Sequence, residues 1–66
     1  MDTVEMLYRF APYKFIQVAK ETANYYEFVA YLKRLPNFHI VDDLSDAQLK
    51  LLYGFAIADL QKENKG

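Results

Sequence analysis

His39, Asp42, Asp43 and Asp46 fall within eight residues, the densest cluster in the chain of side chains able to do chemistry. Carboxylates and an imidazole at that spacing are donors that a divalent cation accepts. The run lacks the Asp-x-Asp-x-Asp-Gly loop and closing Glu that calcium loops use. Acids also gather ahead of a helix for a simpler reason, because the dipole at its N-terminus favours negative charge. The simpler reading is preferred, so no metal site and no cofactor are expected. Ser45 and His39 could be paired as nucleophile and base, but Ser45 stands where the following helix needs a cap. A Gly-x-Ser-x-Gly elbow and a glycine-rich phosphate loop are both absent, since Gly54 and Gly66 are the only glycines. Paired-carboxylate hydrolysis needs a cleft, which a few short helices rarely supply. No catalytic residue is assigned, and the protein is not expected to be an enzyme.

With chemistry set aside, recognition remains. Plotted at about 100° per residue, Leu49, Leu52, Tyr53, Ala56 and Leu60 form one apolar stripe on a helix from about Ser45 to Lys62. Leu51, Phe55 and Ala58 form a second stripe on nearly the opposite side, with Lys50, Gly54 and Gln61 along one border and Gln48 and Asp59 along the other. A small domain can bury one stripe, and the second calls for a partner or an unusually central helix. Tyr26 and Tyr31 point away from the apolar face of their own helix, and tyrosine is enriched where proteins meet. Tyr26, Tyr31, Leu51, Phe55 and Ala58 are therefore the candidate interface residues. Gly54, in mid-helix, either lets a neighbouring helix approach closely or is simply tolerated at a cost of ~1 kcal/mol relative to Ala.

The elements that must carry these residues are helical. Asp2 is placed to cap a first helix, with Glu5 at the capping-box position, and Val4, Leu7, Tyr8 and Ala11 share a face. Pro12 suits the first position of a second helix better than the interior of the first. Phe15, Ile16, Val18, Ala19 and Ala23 make its apolar side, opposite Lys14, Gln17, Lys20 and Glu21. Asn24 with Glu27 offers another capping box, although an unbroken helix from Pro12 to Leu35 is also open. Tyr25, Phe28, Val29, Leu32 and Leu35 line one face, Lys33 and Arg34 complement the dipole at its end, and Pro36 stops it. Phe38 to Val41 is a β-prone run too isolated for a sheet, and reads as an extended connector. Ser45 with Gln48 forms the firmest helix start, and Leu44 can staple onto Leu49. Residues 61–66 are expected to fray.

Sixty-six residues make one domain, 1–66, and a domain of that size buries only about 60% of the surface its unfolded chain exposes. With no cysteine and one histidine, disulfides and thiolate or multi-histidine metal sites are excluded as reinforcement. Dense apolar packing and oligomerisation are left, and a chain that is 53% hydrophobic and 17% aromatic suits both. The net charge of −1 gives no general attraction to nucleic acid. Residues 1–35 carry five bases against four acids, and residues 36–66 three against five, too slight a bias to define a nucleic-acid face. No run of 18 apolar residues is present to cross a membrane. The lack of cysteine and of a signal-peptide pattern is compatible with a cytoplasmic setting.

Leu44-Ser45-Asp46 followed by Leu49, Tyr53, Ala56 and Leu60 resembles a stretch of the Hha/YmoA family of small helical modulators. It equally resembles the Sda family of helical-hairpin kinase inhibitors. The likeness covers 17 of 66 residues and is shared by two unrelated families. Residues 1–43 match neither family well, and the interval from Tyr31-Leu32 to Leu44 is too short for the Hha arrangement. It implies only that small regulatory interaction proteins use such helices, and no family is assigned.

The expectation is an all-α fold, a small bundle of three to four short helices with a longer C-terminal helix. A homodimer would pack that helix on its symmetry mate or on the 24–35 helix of the other chain, because twofold dimers are the commonest oligomers. The expected function is non-enzymatic regulation through contact with a cellular or host protein of unknown identity, plausibly in a bacterium or phage. The alternative is a DNA-binding transcriptional regulator with a dimeric helical fold, for which Lys14, Lys20, Lys33 and Arg34 would contact phosphates.

Overall fold

The computed structural model describes residues 3–36 and 39–64, apart from the side chains of Ile40 and Asn64. Four α-helices, α1 (Thr3–Phe10), α2 (Pro12–Glu21), α3 (Tyr25–Arg34) and α4 (Asp46–Asn64), and one 3₁₀ segment (His39–Asp43) account for most of it, with no strand among the described residues. None of these helices is long and apolar enough to cross a membrane.

Local chemistry sets most of the boundaries. Ala11 leaves the helical region at φ −148° and ψ 64°, and Pro12 then opens α2, where its missing N–H is no loss. The helix ends at Thr22, which turns extended and donates its hydroxyl to the Val18 carbonyl at 2.8 Å. The chain therefore breaks between α2 and α3 and does not run on as one helix. Asn24 caps α3 by accepting the Glu27 N–H at 3.0 Å, and Glu27 reaches back to the Ala23 N–H at 3.2 Å. Ala23 lies beyond the end of α2 and is exposed, not part of its apolar side. At α4 the expected capping box is complete: Gln48 N–H donates to Ser45 Oγ at 3.2 Å, and Ser45 N–H donates to Gln48 Oε1 at 2.9 Å. The expected cap at Asp2 and the start of the connector at Phe38 lie outside the described residues.

Two expectations need correction. The connector is not extended over 39–41; His39–Asp43 coils into a 3₁₀ helix that buries Val41 completely. Tertiary burial of one side chain outweighs the β-propensity of so short a run. The C-terminal helix also extends beyond its expected end at about Lys62, to Asn64, and residues 65 and 66 of the expected tail lie outside the described residues. Lys20 Nζ on α2 lies 3.9 Å from Glu63 Oε2, holding this end of α4 near the bundle.

The core is one cluster in which α4 packs chiefly on α2, with α1 and α3 to either side. Leu49, Leu52 and Ala56 are buried against Val4, Leu7, Phe15, Val18, Phe28 and Leu32. Rings then lock α4 along both flanks. On one, Phe55 meets Tyr8 at 5.6 Å between centroids, and Tyr8 stacks on Phe15 at 5.9 Å. On the other, Tyr53 meets Phe28 edge-on at 4.9 Å and Tyr25 at 5.8 Å. The Cα radius of gyration is 11.1 Å, close to the ~11 Å expected of a folded chain this long. The bundle closes its core within one copy.

Candidate interaction surface

With α4 gripped on three sides, its fourth side faces solvent. Leu51 is 50% exposed and Phe55 38%, and Ala58 lies in the open one turn further on. Leu51 and Ala58 of the sequence-derived second stripe are thus open to solvent within a single copy, while the Tyr8 ring partly covers Phe55. Gly54 sits in the same face, and a Cβ built on it would meet nothing within 4 Å. No neighbouring helix of this chain uses the space that the glycine leaves.

The two tyrosines lie elsewhere. Tyr26 and Tyr31 are five residues apart on α3, so they project about 140° from one another. Tyr26, 82% exposed, stands edge-on to Tyr25 at 5.5 Å. It borders an open groove of about 420 Å³ between α3 and the start of α4, which Val29, Lys33, Leu44 and Leu49 also line. Tyr31 instead donates its hydroxyl to Glu21 Oε2 at 2.9 Å, in a separate groove between α2 and α3. The five candidate residues therefore do not form one surface. Leu51, Phe55 and Ala58 share a face, and the tyrosines belong to two others.

Phenol–carboxylate bonds recur where the helices meet. Tyr8 donates to Asp59 Oδ2 at 2.5 Å, joining α1 to α4. Burial first, then that bond and the nearby charges of Asp59 and Glu63, push the Tyr8 hydroxyl well above its ordinary range. Tyr25 donates to Asp46 Oδ1 at 2.6 Å, and the Lys50 ammonium sits 5.9 Å from the centroid of its ring. Burial, then the bond to Asp46, raise Tyr25 to about 12. Asp46 is shifted down, by the Tyr25 hydrogen bond first and by Lys50 next.

The carboxylate cluster ahead of α4 does not gather. His39 Nδ1 is 4.0 Å from Asp42 Oδ2, both exposed, while Asp46 is engaged with Tyr25 and with Lys50 at 3.2 Å. Among the described residues no three His, Asp or Glu side chains converge as a metal would require. Ser45 Oγ accepts the Gln48 N–H in its capping role.

A further exposed apolar group went unweighed in the sequence. Met6, Phe10 (85% exposed) and Tyr13 (78%) project from α1 and the start of α2. A signal was present, because Met6 and Phe10 are four residues apart and lie off the Val4, Leu7, Tyr8 face.

No protein-family model, curated protein or solved structure was found to match this chain. The local likeness of residues 44–60 to other helical regulators is accordingly carried no further.

Proposed function

We propose that the protein is a small non-enzymatic regulator that acts through protein–protein contact, self-associating through the outer face of α4 and docking on a protein partner. The observation that carries this reading is the exposure of Leu51, Phe55 and Ala58 on a helix whose opposite face already completes the core. Exposed apolar surface of that kind on a small domain marks a contact site. A cytoplasmic setting in a bacterium or phage belongs to the same proposal and rests on size and composition alone. The DNA-binding alternative gains no footing from the distribution of charge. The net charge of −1 gives no general attraction to nucleic acid, and of the four bases that reading would use, Lys20 lies 3.9 Å from Glu63 of its own chain.

Sedimentation of the purified chain alongside Phe55→Asp tests the proposal. The parent chain is expected to sediment as a dimer at high concentration. Phe55→Asp is expected to sediment as a monomer that keeps much of its helical circular dichroism, whereas outright unfolding would assign Phe55, which meets Tyr8, to the internal core. A parent chain that stays monomeric throughout removes self-association from the reading, and a salt-sensitive gel shift would replace it with DNA binding.

A further inference from the structure

An apolar floor and an uncompensated cation meet in the open groove of about 420 Å³ between α3 and the start of α4. Val29 and Leu44 are half-buried there and Leu49 is buried, so the floor is carbon that the fold leaves partly uncovered. One wall is aromatic, since Tyr26 is 82% exposed and stands edge-on to Tyr25. The shape exists before anything binds. The Tyr25 hydroxyl, bonded to Asp46 at 2.6 Å, fastens α3 to the first turn of α4. A groove held in this way spares a partner the cost of ordering it.

Charge in the groove is one-sided. Its lining includes one acid, Asp46, and one base, Lys33. Asp46 is already answered, by the Tyr25 hydroxyl and by Lys50 at 3.2 Å. Lys33 has no carboxylate within 4.0 Å among the described residues. The end of α3 accounts for only part of that cation. A helix C-terminus carries roughly half a negative charge, whereas Lys33 and Arg34 both stand in the last turn. Positive charge is left over where the groove reaches Lys33, and a complementary occupant is acidic there.

The openness of the groove selects the size of the occupant. Small-ligand sites enclose roughly 70–90% of what they bind, and a surface groove leaves much more in water. A larger partner recovers the difference through contacts outside the groove. Val29 and Lys33 are four residues apart on α3, about 6 Å along its axis, against ~5.4 Å for one turn of a helix laid beside it. A residue seated on Val29 and Leu44 then has its neighbour three or four positions away standing at Lys33. We propose that this groove docks an acidic amphipathic helix of a partner protein, with an apolar side chain on Val29 and Leu44 and a carboxylate one turn away on Lys33. The proposal rests on the partner-docking half of the reading above, whose partner chemistry it supplies, and is independent of self-association through α4.

Selection on the immobilised chain from a random library of peptides about 12 residues long, some three helical turns, tests the proposal. The selected peptides are expected to share an apolar residue with Asp or Glu three or four positions from it. Fluorescence anisotropy of one labelled peptide should show binding abolished by Ala30→Trp, which fills the groove, and weakened roughly five- to tenfold by Lys33→Glu. Replacing the acid of the peptide with Lys should restore affinity for the Lys33→Glu variant. Ala30 and Lys33 are both exposed, and circular dichroism checks that each variant keeps its fold. Peptides indifferent to both substitutions would put the partner contact on another face, overturning this inference and sparing the partner-docking reading. Peptides blocked by Ala30→Trp that carry no acid, or that ignore Lys33→Glu, would overturn the acidic partner. A library that yields no binder would overturn the groove as a docking site, while sedimentation decides self-association separately.

Discussion

Tyr25 ties two helices together through one proton. Its hydroxyl donates to Asp46 at the first turn of α4, and a bond of that kind lasts only while the phenol is neutral and the carboxylate ionised. Folding raises the Tyr25 pKa from its ordinary value near 10 to about 12. The folded state therefore holds the proton more tightly than the unfolded one, and the stability this adds is complete below pH 10. It is lost as the pH climbs through about 12. The difference in unfolding free energy between the parent chain and Tyr25→Phe should be steady at neutral pH and shrink across that window. Denaturant titrations at a series of alkaline pH values measure it, and a difference that stays constant would show that the bond does not form. The depressed Asp46 gives the opposite slope on the acid side, where stability is lost as pH falls.

At the scale of elements, what could be read in advance was what neighbouring residues decide. Pro12 opening α2, Asn24 capping α3 and Ser45 capping α4 all depend on residues within one turn, and each stands where local chemistry puts it. Ser45→Ala should lower stability by about 0.5–2 kcal/mol, seen as a lower urea midpoint with an unchanged slope, because one amide at the start of α4 loses its acceptor. Elements settled by distant contacts were not legible in this way. Val41 is drawn into the core and coils the segment around it, and Glu63 meets Lys20 from 43 positions away in the chain. The contact surface divides along the same line. Helical periodicity alone places Leu51, Phe55 and Ala58 on a common face. Grouping Tyr26 and Tyr31 with them needed the positions of α2 and α3, which place the two tyrosines in different grooves.

For the whole molecule, the balance between the two faces of α4 decides what a substitution does. A domain of 66 residues has a stability of roughly 3–10 kcal/mol. Leu52 is fully buried, and Leu52→Ala should remove about 2–5 kcal/mol of that, bringing the fold to the edge of unfolding at room temperature. Thermal melting of the variant checks this, and a loss well under 1 kcal/mol would mean that the core collapses around the gap. The central placement of α4 also bears on how the chain comes to be folded while it is being made. The first three helices leave the ribosome with Phe15, Val18 and Phe28 turned toward a neighbour that has not yet been translated. Until the last third of the message has been read, those side chains lack the helix that completes their cover.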